Sequence, residues 1–248
     1  MVDAVVLAGG NAKGLANVPA KGLVPVNGRP MVEYVVDALS RCEDIGRICV
    51  VIPVEYSFNG SSKKVGVNVA SGSLPAVAKA GLDFLQAKEP VLMLSADIPL
   101  ITPEAVSDFL KKCSTKKAEF YYPIVRYGKS EKLFPGVKRT YARVKEGRFT
   151  GGNIMLVNPK FINRNFGLIE RIYELRKQPL KIAQILGFSF LLKFILGMLT
   201  ISQLEGRIGQ MTNAVCVAIE TPYVEIGVDV DKESDLQLVT VTLAGGEK

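Results

Sequence analysis

The chain has 248 residues, 48% apolar and 22% charged, an ordinary globular mixture long enough to bury a substantial core in one large domain or two small ones. It contains no histidine, which excludes Ser-His and Cys-His nucleophile pairs, histidine-ligated zinc and histidine proton shuttles. The net charge of +7 is uneven: between Lys160 and Lys193 seven basic residues face only Glu170 and Glu174, a local excess that suits either an anionic partner or a solvated basic helix face. Chemistry must therefore rest on carboxylates, lysine or arginine, backbone amides and oxygen-bound metals. Cys42, Cys49, Cys113 and Cys216 form no C-x-x-C pair, and no secretory signal opens the sequence. They read as buried or free thiols in a reducing compartment, the cytoplasm.

The first apolar run, Ala4 to Ala8, has the length of one buried strand and stops at Gly9-Gly10. Paired glycines there let the backbone take φ > 0 and bring its N–H groups close to a ligand. Such a row of amides is an anion site, and Lys21, eleven residues on, adds a full positive charge. Spacing rules out two familiar loops. Gly9 and Gly14 have four residues between them, but Leu15 and Ala16 stand where a phosphate loop needs Lys and Ser/Thr. GGNAKG does not supply G-x-G-x-x-G either. A tight strand-to-helix turn without a ligand is the alternative.

Asn27-Gly28 is a strong turn signal between Val24-Pro25-Val26 and Arg29-Pro30-Met31. Met31 to Leu39 carries helical apolar spacing, Ile48 to Ile52 is a second buried strand, Asn59 to Lys64 a loop and Val65 to Ala70 a third strand. Ser71-Gly72-Ser73 precedes a helix over Leu74 to Leu85, with Pro75 tolerated in its first turn. Val91 to Leu94 is a fourth strand ending in Ser95-Ala96-Asp97-Ile98-Pro99-Leu100. Thr102 and Pro103 then open a helix to about Lys112 as N-cap and first helical residue. Residues 118–126 read as a strand placed near an edge by Pro123. Tyr141 to Val144 and Ile154 to Val157 are further strands, and Val224 to Val230 a last one, running into an acidic cluster.

Strands alternating with helices argue an α/β fold of three layers, a mostly parallel sheet with helices on both faces. Ligands bind such sheets at the carboxyl ends of strands, so Gly9-Gly10, Ser71-Gly72 and Asp97 should share one crevice. Asp229 and Asp231, spaced i, i+2, point the same way from an extended segment. Carboxylates without histidine suit Mg²⁺, which binds through one or two carboxylates plus substrate phosphates. A polyphosphate held by amides and Lys21 and bridged by Mg²⁺ to Asp97 and Asp229 is a phosphoryl- or nucleotidyl-transfer site. A turn or capping role for Asp97 and a surface-loop role for Asp229 are the alternatives.

Taken together, LAGG (Leu7 to Gly10), KGLVPV (Lys21 to Val26), NGRPM, SADIPL (Ser95 to Leu100) and DVDKESDL (Asp229 to Leu236) resemble, collinearly, the NTP transferase superfamily. Its members include molybdenum cofactor guanylyltransferase, methylerythritol phosphate cytidylyltransferase and sugar-phosphate nucleotidylyltransferases. The resemblance implies a nucleotide-diphospho-sugar-transferase-like fold over one domain, 1–248. It also implies transfer of NMP from an NTP to a phosphorylated small-molecule acceptor, with Mg²⁺ as cofactor and no nucleic-acid partner. Leu7, Ala8, Gly9, Gly10 and Lys21 then bind nucleotide and phosphates, and Asp97 and Asp229 bind the metal. Ser71 and Gly72 lie near base or ribose, and Gly151, Gly152 and Asn153 near the acceptor. The family loop reads LAGG-x-S-x-R, and Gly14 occupies the arginine position, so Lys13 joins Lys21 as the expected catalytic cation, though lysine is a point charge where arginine is a fork. A nucleotide-sugar glycosyltransferase and a non-catalytic nucleotide-binding or scaffold protein stay open, the first disfavoured because its D-x-D usually lies near mid-chain.

Residues 163–212 read as an all-helical insertion. Phe166 to Lys177 is amphipathic and stopped by Pro179. Leu180 to Leu196 is apolar on nearly every face and reads as a buried helix of that subdomain. A peripheral membrane or homodimer contact through 180–201 is the alternative. A membrane span is disfavoured because Gln184, Gly187 and Lys193 interrupt it and a span would separate Asp97 from Asp229. Thr200 caps a third helix, with Gln203 placed for a capping box and Ile201, Leu204, Ile208 and Met211 on one face.

Overall fold

The computed structural model describes residues 1–245 apart from 13, 59–64, 129–132, 135–138, 176–180, 182–184 and 186. The loop expected at Asn59 to Lys64 and the stop at Pro179 lie outside them. At the centre β1 (Val2–Leu7) runs parallel to β4 (Ile45–Ile52) on one side and β6 (Val91–Ser95) on the other, and β5 (Val65–Val69) follows β4. Beyond β6 comes β10 (Ile154–Val157), antiparallel to it, then β7 (Phe120–Arg126). The far half of β7 pairs with β9 (Gly147–Gly151), which forms a hairpin with β8 (Ala142–Val144), while β11 (Cys216–Thr221) runs parallel along β7. Only β9 and β10 oppose the common strand direction of this nine-stranded sheet, so the expected mostly parallel α/β architecture is the one observed.

Alternation along the strands makes the layers. Ala4, Val6, Val50, Leu92 and Leu94 face α1 (Met31–Arg41) and α3 (Pro103–Ser114), meeting Val35, Leu39 and Phe109. Val5, Leu7, Val51 and Met93 face the other way, onto Leu82 of α2 (Leu74–Leu85) and Phe161 and Ile162 of α4 (Pro159–Leu175). Each fully buried side chain of this kind contributes roughly 1.5–3 kcal/mol. Ser73 and Thr102 accept from Ala76 and Ala105 N–H, so α2 and α3 start where the caps predict. Asn27 and Gly28 join β2 (Pro25–Val26) to β3 (Arg29–Pro30) with φ of 49° and 78°, the double-positive geometry of a hairpin turn.

Three expectations are corrected. Val224–Gly227 is a 3-10 turn, not a strand, because Ile226 gives its carbonyl to Asn153 N–H and the chain then crosses the sheet edge instead of joining it. Near the edge, as expected, β7 has only β11 outside it, and the Pro123 carbonyl accepts from Gly152 at the bend between β9 and β10, a break in the ladder that accommodates the missing donor. The glycine-containing stretch before Ile154 is strand β9, and β11 was unmarked. Finally, the apolar run after Leu180 is not buried among its described residues. Its helix α5 (Phe188–Ile195) lies between Gly187 and Gly197, with φ of 104° and 64°, and leaves Leu192 49%, Ile195 70% and Leu196 58% exposed. The sheet face is covered instead by α6 (Ile201–Thr212), whose Thr200–Gln203 capping box forms as expected. Among the described residues no helix is long and apolar enough to cross a membrane.

Candidate functional site

The site begins where β1 stops. Leu7 carbonyl accepts from Ala96 and Ala8 N–H donates to Val51, tying the strand end to both neighbours. The loop that follows closes on itself: Lys21 N–H donates to Gly10 (3.1 Å) and Gly22 N–H to Ala8 (3.2 Å). A Cβ on Gly22 would lie 2.9 Å from both Cβ and carbonyl oxygen of Ala8, so only glycine permits that approach. Gly10 takes φ of +89°, whereas Gly9 has no positive φ and a Cβ there would meet nothing within 4 Å. Open space thus lies over Gly9, and Lys21 is delivered to the end of the sheet.

Lys21 Nζ donates to Asp97 Oδ2 and to Asp231 Oδ1, each at 2.6 Å. Asp97 follows β6, and its carbonyl accepts from Val230 N–H (2.9 Å), which clamps the C-terminal segment to the sheet. Val228 and Val230 are fully buried with Val24, Val26 and Met31, so Asp229 between them is held by apolar anchors on either side. α7 (Glu233–Gly245) starts next, with Asp235 accepting from the N–H groups of Asp231 and Lys232. Arg139 donates to Asp229. Asp97, Asp229 and Asp231 place a carboxylate oxygen each within 4.8 Å of one another.

Three carboxylates crowded together perturb one another. Burial, reinforced by Asp97 and Asp231, raises the Asp229 carboxyl above the usual range despite Arg139. Burial works against ionisation of Asp231 too, but Lys21 overcomes it and holds that carboxyl low. For Lys21, burial is outweighed by Asp97 and Asp231, so its ammonium is raised. Asp97 Oδ1 is buried and has no hydrogen-bond partner among the described residues. An orphaned acceptor beside two further carboxylates fits a hard divalent cation such as Mg²⁺, which takes oxygen ligands.

The structure brings Leu7, Ala8, Gly9, Gly10, Lys21, Asp97 and Asp229 to one sheet edge. Ser71 and Gly72 are exposed at the end of β5, on the same carboxyl edge of the sheet, two strands from β1. Gly152 and Asn153 use their backbone groups to hold Pro123, Ile226 and Ser95, while Gly151 abuts Gly227. Lys13 lies outside the described residues. Gly14 has φ of +86°, a conformation an arginine would resist. Two residues were missed. Asp231 was visible in the D-x-D spacing, whereas Arg139 sits in a polar stretch, pairs across 90 residues and carries no local signal.

Comparison with known proteins agrees with this geometry. The family model for a MobA-like NTP transferase domain matches residues 4–175. A hypothetical transferase from Thermus thermophilus superposes with a TM-score of 0.84 at 36% identity, covering 95% of this chain and 99% of that one. A probable molybdenum cofactor guanylyltransferase from Pyrococcus horikoshii is 25% identical over 156 residues, 60% of this chain and 79% of its own length. The bifunctional protein GlmU of Alcanivorax borkumensis is 32% identical over 116 residues, 43% of this chain, which spans only 24% of GlmU. A Lys21-bridged carboxylate cluster beneath a glycine loop, on a fold so shared, carries one conclusion: the chain belongs to the MobA-like NTP transferase family of nucleotidyltransferases.

Proposed function

We propose that the protein transfers NMP from an NTP to a phosphorylated small molecule, as a single nucleotidyltransferase domain with 163–212 as a helical insertion, in the cytoplasm. The observation that carries this is the convergence of Lys21, Asp97, Asp229 and Asp231 below the open Gly9–Gly10 loop. The amides of that loop cradle phosphate oxygens, and Lys21 turns from carboxylate to phosphate once metal and nucleotide neutralise the carboxylates. Asp97, Asp229 and Asp231 hold Mg²⁺, which when bound neutralises phosphate charge as a Lewis acid. Arg139 Nε and Nη2 are buried and have no hydrogen-bond partner among the described residues. Paired with Asp229 beside the metal centre, Arg139 is the forked cation that takes the charge-neutralising role Gly14 cannot fill.

An acceptor phosphate is already ionised near neutral pH, so its oxygen attacks the α-phosphorus without a histidine base. The new P–O bond forms as the bond from the α-phosphorus to the α–β bridging oxygen breaks, and pyrophosphate leaves. Incubating the protein with each NTP, Mg²⁺ and a panel of phosphate monoesters should release pyrophosphate with one preferred base. Asp97→Asn should lower that rate by about 100-fold or more with the far-UV spectrum unchanged. Equal turnover in the variant would remove Asp97 from the site, and turnover only with nucleotide-sugars would replace this reaction with glycosyl transfer.

A further inference from the structure

Between α6 and the sheet face formed by β7, β8, β9 and β11 lies a cavity of about 280 Å³, close to the ~300–1,000 Å³ of small-ligand pockets. Its wall is almost wholly apolar and includes Ile124, Phe149, Leu204, Ile208 and Ala218. Glu205, the one carboxylate there, already accepts from Ala218 N–H (2.8 Å). At one end the lining becomes Tyr122, Thr150 and Gly151. The phenol oxygen of Tyr122 lies over Gly151, 2.1 Å from where a Cβ would be, and Gly227, two residues before Asp229, packs on Gly151 and Thr150. Tyr122 and Gly151 therefore stand between the cavity and the Gly227–Asp229 segment, close enough for the Asp229 charge to act on the Tyr122 phenol.

We infer that the acceptor is an amphiphile, a phosphate monoester whose phosphate meets the Asp97–Asp229 centre and whose hydrocarbon portion fills this cavity. The inference rests on the nucleotidyl-transfer reading for the fate of the phosphate, and on the cavity for the tail. A tail-less sugar phosphate would leave that wall without a partner, whereas a hydrocarbon gains by leaving water, at roughly 0.8 kcal/mol per methylene. Burial and then the charge of Asp229 raise the Tyr122 phenol, so it stays protonated and can donate to an acceptor oxygen at this end of the cavity.

A second feature points the same way. Leu192, Phe194, Ile195, Leu196 and Met198 form an exposed apolar group around Lys193. The chain after it leads to the cavity: Gly197 abuts Arg143 of β8, Leu199, 2% exposed, accepts from Lys145 N–H (2.8 Å), and Ile201, two residues on, lines the cavity. A greasy, cationic surface adjoining an apolar cavity is what collecting a lipid phosphate from a membrane requires. In the reaction, the lipid phosphate oxygen bonds to the α-phosphorus, the α–β bridging P–O bond breaks and pyrophosphate leaves, giving a nucleoside diphosphate-linked lipid.

Geranyl phosphate and glycerol 1-phosphate, titrated calorimetrically into the intact protein, separate tail from phosphate. Geranyl phosphate should bind at least tenfold tighter, and Ala218→Phe or Leu204→Trp should remove that advantage. Two cavity-filling variants, each checked for folding by circular dichroism, guard against one failing to fold. Sedimentation with phosphatidylcholine vesicles, with and without phosphatidic acid, tells a membrane-held phosphate from a free one: pelleting only with phosphatidic acid supports the membrane source, and no pelleting restricts the acceptor to soluble amphiphiles. Equal binding of the two monoesters, or a geranyl preference that survives cavity filling, overturns the inference while leaving NTP turnover intact. Absence of NTP turnover with any acceptor, alongside retained geranyl phosphate binding, instead overturns nucleotidyl transfer and leaves the cavity assignment standing.

Discussion

Lys21 and Asp97 are both mostly withdrawn from water, at 15% and 12% side-chain exposure, so neither can lose its partner cheaply. Breaking a pair of this kind typically costs about 3–5 kcal/mol, because the remaining charge is left buried. The pH dependence has a definite sign. Lys21 is raised above its ordinary 10.5, so its contribution is complete below pH 10.5 and is lost as pH climbs through the higher folded value. Lys21→Met should therefore destabilise the protein strongly at pH 8 and progressively less above pH 10.5, measured by paired urea melts; a difference that stays constant would contradict the pairing. Asp231 behaves oppositely, contributing above 3.8 and losing it as pH falls through its lowered folded value, but its side chain is 69% exposed and screening keeps its share small. At Gly22 sterics decide: Gly22→Ala forces a Cβ into Ala8 and should cost about 1–3 kcal/mol in thermal or urea denaturation, where an unchanged midpoint would show the loop free to open.

Elements decided by local chemistry were legible in the sequence. Continuous apolar runs gave β1, β4 and β6, Ser73 and Thr102 set the starts of α2 and α3, and Thr200 with Gln203 set the start of α6. Elements decided by distant partners were not. The segment 224–227 alternates like a strand, yet Asn153 captures Ile226 and turns it. The run around α5 is apolar enough to be buried, yet α6 already occupies the adjoining sheet face. That helix is held at its first turn three times: Thr200 and Gln203 bond reciprocally, and Glu146 in the β8–β9 turn accepts from Ile201 N–H (3.1 Å). Thr200→Ala should cost about 1 kcal/mol. Because α6 roofs the apolar cavity, the same variant should raise amide exchange along Ile201–Thr212 ahead of the rest of the chain, and uniform exchange would show the cap to be redundant.

Across the whole molecule, the carboxyl edge of the sheet collects charge from positions as far apart as 21, 97, 139 and 229–231. Three carboxylates facing Lys21 and Arg139 leave a single net negative charge, which a cation alone cannot claim without displacing Lys21. The chain order of strands and the collinear motifs made the fold and the Lys21, Asp97 and Asp229 positions readable, because all three follow strand ends or sit in a spaced acidic motif. Arg139 was unreadable because only the fold brings residue 139 to residue 229. Competition at this edge implies that Mg²⁺ without nucleotide raises the melting temperature of Lys21→Met more than that of the parent; a smaller rise in the variant would place the metal elsewhere. The most direct measurement is calorimetric titration of each NTP into the parent protein and Asp97→Asn, with and without Mg²⁺. One NTP should bind the parent only when Mg²⁺ is present and bind the folded variant at least about 100-fold more weakly. Binding that is equal in the two proteins, or indifferent to Mg²⁺, would contradict a metal-nucleotide site at these carboxylates.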